Sequence, residues 1–288
     1  MKKSRAFGFV TITVIYIVAV VIGVSLFRYF YEYNLFLRVL IADVGATAFV
    51  FMTGVALRNA SVYDPYWSVA PPLVLAGAAY HCGAIDPGIV LLLAAVWFWG
   101  VRLTINWART FVNLGTQDWR YDLYKSRYPR MFQIVSFFGI NMFPTIVVYL
   151  CMLPGLAFIE TSSFNVFMIL GFIVCVSAAS LQLVADLQMH RFRRENASAG
   201  TIIRTGLWKW SRHPNYLGEI MMWWGVYTIM LSSSPRTWFF FIGPLANTIM
   251  FLTVSIPLAD KHNREKRPDF DEYVMETNSL LPLNIKNR

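Results

Sequence analysis

Four clusters of polar residues interrupt a strongly apolar sequence, and their spacing confines each to one helix face or one helix end. The densest runs Ser211-Arg212-His213-Pro214-Asn215-Tyr216-Leu217-Gly218-Glu219, ahead of an apolar stretch that holds Trp223 and Trp224. It reads as a turn into a helix, with Pro214 in the first turn and Glu219 one to two turns inside. Free backbone N–H groups at that helix start, with Arg212 and His213 beside them, suit an anion. Asn215 can both donate to and accept from an amide. A second cluster sets Arg102, Asn106 and Arg109 at i, i+4 and i+7, on one face, and is followed by Asp118-Trp119-Arg120-Tyr121. Arg109 either snorkels to the interface or meets a bound anion, whereas a bound anion accounts better for the deeper Arg102. A third aligns Gln182, Asp186, His190 and Arg193, with Arg191 and Arg194 alongside. Arginines there could meet lipid headgroups, or clamp phosphate while Asp186 accepts ribose hydroxyls. The fourth is Asp64-Pro65-Tyr66-Trp67. Asp64 is either the cap of a helix opened by Pro65, or a carboxyl that burial keeps protonated and able to donate to a carbonyl.

The elements that must position these groups are membrane helices. Of 288 residues, 57% are hydrophobic and 14% charged, against roughly 45–50% and about 25% in soluble domains. That excludes a soluble globule, and 17 glycines and 3 cysteines exclude a collagen-like fibre and a disulfide scaffold. A spanning helix needs about 20 apolar residues to cross about 30 Å of hydrocarbon. Eight stretches qualify: Ala6 to Phe30, Leu37 to Leu57, Tyr66 to Cys82, Gly88 to Thr110, Phe132 to Leu153, Phe164 to Gln188, Tyr216 to Leu231 and Trp238 to Leu258. The first follows Lys2, Lys3 and Arg5 but is too long for a signal-peptide core. Alternating the connections collects 22 of the 25 lysines and arginines on one side, leaving Arg28, Arg38 and Arg236 opposite. The positive-inside rule then makes both termini cytoplasmic, with residues 154–163 an outside loop. The expected fold is an all-α polytopic bundle, one integral membrane domain over 1–288. It comprises two N-terminal helices over 6–58, a core over 59–258 and a cytoplasmic tail over 259–288. Cys82, Cys151 and Cys175 have no metal-ligand spacing and read as small buried hydrophobes. No P-loop or G-x-G-x-x-G occurs, so any active site is built from the bundle itself. The excess of basic residues belongs to topology and to a bound ligand, not to nucleic acid.

Arg212-His-Pro-Asn-Tyr-Leu-Gly-Glu219 before an apolar helix resembles the C-terminal domain of the steroid 5-alpha-reductase family, most closely its bacterial membrane-protein branch of the DUF1295 type. Asp64-Pro-Tyr-Trp, Trp99-Gly-Val-Arg102-Leu and Asp118-Trp-Arg120-Tyr121 strengthen the resemblance. So do Pro257-Leu, Pro268-Asp-Phe-Asp-Glu-Tyr273 and Leu281-Pro282 in the tail. It implies a seven-helix core with one extra N-terminal helix, in a bacterial inner membrane, that binds NADPH and reduces the carbon-carbon double bond of an enone. Residue by residue, it implies that Arg102, Asp186, Arg193 and Asn215 contact the dinucleotide, with Asn215 on the nicotinamide carboxamide. The neighbouring polar groups add Asn106, Arg109, Asp118, Arg120, Tyr121, Arg194, His213, Tyr216, Glu219 and His262 to the cofactor-binding set. Asp64 takes the place of the family's substrate-gripping Glu and Trp99 that of its Tyr, while Gln182 replaces an Asn. These departures weigh against a steroid itself, and the expected substrate is a lipophilic molecule of steroid-like or isoprenoid-like character.

The expected chemistry is hydride transfer to the beta carbon of an activated alkene, with a protonated Asp64 polarising the carbonyl. An arginine would select NADPH through its 2′-phosphate, the candidates being Arg109, Arg120, Arg193, Arg194 and Arg204. The expected protein is a monomer whose partners are membrane lipids and a lipophilic small molecule. Two other classes compete. One is an S-adenosylmethionine-dependent membrane methyltransferase of the isoprenylcysteine or phospholipid type, which shares an Arg-His-Pro-x-Tyr-x-Gly motif. The other is a non-catalytic lipid-binding protein, which leaves the clustering of Asp186, Arg193, Asn215 and Glu219 without a purpose.

Overall fold

The computed structural model describes residues 4–161, 163–196 and 200–281. Lys2, Lys3 and Pro282, which entered the topology and resemblance arguments, lie outside them. The helices are α1 (Arg5–Tyr29), α2 (Leu35–Leu57), α3 (Tyr66–Cys82), α4 (Pro87–Thr110) and a short polar α5 (Trp119–Arg127). Next, α6 (Phe132–Val135) runs through a π-helical turn, Ser136–Met142, into α7 (Phe143–Thr161). After α8 (Met168–Glu195) and α9 (Pro214–Ser233), a 3₁₀ stretch over Pro235–Phe241 leads into α10 (Ile242–Met250). A second π-helical turn, Phe251–Ser255, joins α10 to α11 (Ile256–Lys266), and α12 (Phe270–Glu276) follows. Among the described residues there is no strand, only an isolated bridge between Ser211 and Asn278.

Six helices are long and apolar enough to cross a membrane: α1, α2, α4, the continuous Phe132–Thr161 helix, α8 and the continuous Pro235–Lys266 helix. The protein is therefore a multi-pass, all-helical membrane protein. The other two apolar stretches read from the sequence are also helical, as the 17-residue α3 and as α9.

Helix ends follow local chemistry. Asn34 caps α2 by accepting from the Leu37 N–H at 2.9 Å, and Asp86 caps α4 by accepting from Gly88 and Ile89, with Pro87 in the first turn. Asp64 is not the N-cap of α3: Pro65 holds that position without a side-chain bond. Asp64 instead ends the 3₁₀ turn Ala60–Tyr63, leaving its carboxyl free for other partners.

Two boundaries differ from the sequence expectation. The helix expected to stop at Leu153 continues to Thr161. Pro154 cannot donate to the Leu150 carbonyl, yet residues 154–159 are buried and packing holds them helical. That carbonyl faces Gly243 of α10, where a Cβ would stand 2.0 Å from it, so the proline and the glycine together let the helices touch backbone to backbone. Second, the helical run expected to end at Leu258 continues through α11 to Lys266.

The core is centred on Leu75, Leu92, Trp99, Phe158, Met222 and Trp223. Within it, α8 and α9 approach through small residues. A Cβ on Gly171 would lie 2.8 Å from the Gly225 carbonyl oxygen, and one on Gly225 would lie 2.5 Å from Cys175 Sγ. In hydrocarbon, where apolar burial adds little between helices, such contact is what holds a pair together. It fixes Gln182 on α8 against Gly218 and Glu219 on α9.

Candidate functional site

A chamber of about 750 Å³ opens among α3, α4, α5, α7, α8, α9 and the α10–α11 helix. Its floor is a carboxylate fixed by three donors. Glu219 Oε2 accepts from the Trp99 indole at 2.8 Å and from Gln182 Nε2 at 3.0 Å, and Oε1 accepts from the Trp223 indole at 3.0 Å.

Above the floor, the polar stripes of α4 and α8 face each other. Arg102 Nη1 donates to Asp186 Oδ2 at 2.9 Å, and one turn further His190 Nε2 meets Asn106 Oδ1 at 2.7 Å. Spacing of four on both helices brings the second pair into register once the first has formed. Arg102 is only 6% exposed, and its Nε and Nη2 have no partner among the described residues. The same holds for Gln182 Oε1, on a residue 1% exposed, and for Asn247 Nδ2, on a residue 3% exposed. All three residues line the chamber. Buried unmatched donors and acceptors each cost about 1–3 kcal/mol, so this set marks a place for a polar ligand.

One wall of the chamber is stitched from two connections. Asn59 Nδ2 donates to the carbonyls of Leu114 and Thr116, both at 2.9 Å, and Ser61 Oγ accepts from the Asp118 N–H at 2.9 Å. This stitching sets α5 over the 3₁₀ turn, where the Tyr121 hydroxyl donates to Asp64. Desolvation pushes the Asp64 carboxyl up to about 6, against the opposing pull of the Arg120 guanidinium and the Tyr121 hydroxyl. Arg120 pairs with Asp118 at 2.7 Å at the rim.

Ten of the sixteen residues assigned to the site from the sequence thus meet in one chamber: Asp64, Arg102, Asn106, Asp118, Arg120, Tyr121, Asp186, Asn215, Tyr216 and Glu219. The others lie elsewhere. Trp99, expected to grip a substrate carbonyl, is fully buried behind the wall, and its indole is committed to Glu219. Arg109, Arg193 and Arg194 are exposed beyond the chamber. His262 stacks on Trp119 with ring centroids 3.6 Å apart.

His213 does not offer an anion pocket. Its Nε2 lies 2.7 Å from Asp260 Oδ1, and Arg212 Nη2 lies 3.1 Å from Oδ2 of the same carboxylate. The Arg212 and His213 N–H groups donate to the Asn278 and Ser279 carbonyls. The motif that reads as an anion site is occupied by the C-terminal segment, because α11 carries a carboxylate to it. Asp260→Asn should loosen that docking by about 2 kcal/mol, the scale of a charge-assisted hydrogen bond. Faster amide exchange over residues 270–281, with the chamber helices unchanged, is the result that checks it.

Gln182 and Asn247 were not expected as ligand contacts. Asn247 had a readable signal, as a lone amide inside the apolar run Trp238 to Leu258, where polar groups at membrane depth are costly.

Fold and chamber define a polytopic helical membrane protein with an open chamber lined by charged and apolar side chains. Residues 50–277 match the family described as "Protein of unknown function (DUF1295)", and the chain belongs to that family. It is also similar to Uncharacterized protein C594.04c of Schizosaccharomyces pombe, 24% identical over an alignment covering 78% of this chain and 73% of the yeast one. No solved structure matches the chain.

Proposed function

We propose that the chain is a membrane-embedded, NADPH-dependent reductase acting on an activated carbon-carbon double bond in a lipophilic substrate. The observation that carries this reading is the unmatched Arg102 guanidinium edge inside the chamber. Two parallel N–H donors suit a phosphate oxygen pair. Gln182 Oε1 and Asn247 Nδ2, an acceptor and a donor, complement a carboxamide, as does Asn215 on the same wall. Of the five arginines considered for the 2′-phosphate, only Arg120 lines the chamber, and Arg204 is taken by Glu272 and Glu276 at 2.7 and 2.9 Å.

When bound, the dinucleotide supplies hydride. The chain supplies the rest: Asp64, held by Tyr121, donates to the substrate carbonyl and offsets the charge that develops there. Ile140, Phe143, Val148, Met250, Phe251 and Val254 form an apolar side of the same chamber, suited to a hydrocarbon body. In this reading all eight apolar helices cross the bilayer, with both termini and the chamber mouth on the cytoplasmic side, where the basic residues collect.

A second reading has its own support. The chamber holds four carboxyl groups, Asp64, Asp118, Asp186 and Glu219, but only two guanidinium groups, Arg102 and Arg120. That balance suits the cationic sulfonium of S-adenosylmethionine and a methyltransferase. Titration of the purified protein in mild detergent with NADPH, NADH and S-adenosylmethionine separates them. NADPH binding, tighter than NADH and weakened by Arg120→Ala, is the expected result; binding of S-adenosylmethionine alone would overturn the reductase reading.

A further inference from the structure

A second cavity, of about 270 Å³, lies outside the chamber. It opens where α2 ends and the continuous Phe132–Thr161 helix begins, two helices long and apolar enough to cross the membrane. Their ends mark one face of the bilayer, the depth at which lipid phosphates lie. Two cations line the cavity, Arg58 just past α2 and Lys125 on α5, and no aspartate or glutamate does. Neither forms an ion pair among the described residues. Asp122, the acid one turn before Lys125 on α5, accepts a hydrogen bond from Gln117. Arg58 also holds a φ of 54°, as the one non-glycine residue at positive φ among those described. Glycine usually takes such a position at a helix end, because a Cβ crowds the backbone there. An arginine kept at that cost needs a reason.

The remaining lining sorts by chemistry. Ser136 and Asn141, from the first π-helical turn, are polar, whereas Val50, Phe51 and Val55 of α2 are apolar. Val55 is 40% exposed, so the apolar side runs out to the surface of the bundle. Snorkelling alone would explain two basic residues at a membrane face, but it does not call for a recess with a polar back and an apolar flank. Cation, polar back and apolar flank follow the order of a phospholipid: phosphate, ester-linked glycerol, acyl chain.

We propose that this cavity binds an anionic phospholipid, with Arg58 and Lys125 on the headgroup phosphate, Ser136 and Asn141 beside the glycerol esters, and an acyl chain along Val50, Phe51 and Val55. The site is independent of the proposed reaction. Two unpaired cations select net negative charge, and a zwitterionic headgroup would bring its own ammonium against them. Inorganic phosphate would leave the apolar flank uncovered. The volume lies below that of sites that enclose a whole drug-sized ligand, so the headgroup is held while the rest of the chains stays in the bilayer. One anion then joins the end of α2 to α5. Gln117 lines both this cavity and the chamber, and α5 carries Tyr121 to Asp64, so the lipid steadies the wall on which the Asp64 carboxyl rests.

Titration of the full chain in mild detergent with short-chain phosphatidylglycerol, short-chain phosphatidylcholine and inorganic phosphate tests the site, with bound lipid counted by native mass spectrometry. One phosphatidylglycerol should bind about tenfold or more tightly than phosphatidylcholine, and inorganic phosphate at equal concentration should not displace it. Arg58→Gln with Lys125→Gln should weaken phosphatidylglycerol by about tenfold or more, the scale of two cations near a lipid surface. Arg127→Gln with Arg130→Gln removes the same charge from exposed positions outside the cavity, and should leave the affinity within about twofold. Arg58→Gly keeps the test open if the glutamine variant does not fold. Glycine suits a φ of 54°, so this variant should melt no lower than the wild type without lipid, and still lose lipid affinity. Bound phosphatidylglycerol should slow amide exchange over residues 119–127. Equal binding of the two lipids, equal losses in the two double variants, displacement by inorganic phosphate, or unchanged exchange in α5 would overturn the proposal.

Discussion

Asp64→Asn is expected to cut turnover of an enone by NADPH about a hundredfold or more, the usual scale for losing a positioned general acid, while NADPH affinity stays close to that of the wild type. The carboxyl sits beside the chamber, held by Tyr121 and lifted to about 6 by desolvation. Its protonated form is the donor, so wild-type turnover should fall as pH rises through about 6. Asparagine does not titrate, and the residual activity should lose that limb. The folding linkage runs in the same direction. A carboxyl raised from 3.8 to about 6 contributes stability that is fully present below 3.8 and is lost as pH rises through about 6. Nicotinamide absorbance followed across a panel of enones and a range of pH gives both readings. Normal turnover in Asp64→Asn would reduce the residue to a tether for α5.

Arg102→Leu has the second large effect, on stability and binding together. It strands the Asp186 carboxylate, 13% exposed and otherwise paired at 2.9 Å. Removing one member of a buried pair costs about 3–5 kcal/mol, which should appear as a lower melting temperature in detergent. It also removes the free guanidinium edge assigned to phosphate, so NADPH affinity should fall by about two orders of magnitude, as for a bidentate charged contact. The double variant Arg102→Leu with Asp186→Leu separates the effects: stability should recover in part, because Asp186 no longer stands unpaired while Glu219 keeps its three neutral donors, and NADPH binding should not. A chamber built for S-adenosylmethionine would behave oppositely, holding its cationic ligand as well or better without Arg102.

Much of the scaffold is legible residue by residue. The apolar stretches coincide with helices because a chain in hydrocarbon must satisfy its backbone internally. Pro214 and Asp86 announce their helix starts. The run past Leu153 to Thr161 is not legible, because Pro154 reads as a stop and only its burial against neighbouring helices overrides that signal. The site divides in the same way. Asp64, Asp186 and Glu219 stand out as acids at the edges of apolar runs, and all reach the chamber. Arg212 and His213 stand out equally, yet a carboxylate 47 residues or more away in sequence claims them.

By itself, then, the sequence determines the class of molecule and the face on which each polar side chain lies. Hydropathy measures the cost of leaving water, and the 3.6-residue period fixes which side chains share a stripe. Neither quantity says what stands opposite. Tertiary packing alone decides that Arg102 meets Asp186 and Asn106 meets His190, that Trp99 holds Glu219 from behind, and that Asn247 turns its amide into the chamber. A hydrogen bond needs its partner within about 3 Å, and residues up to 120 positions apart reach that distance only when the helices between them have packed.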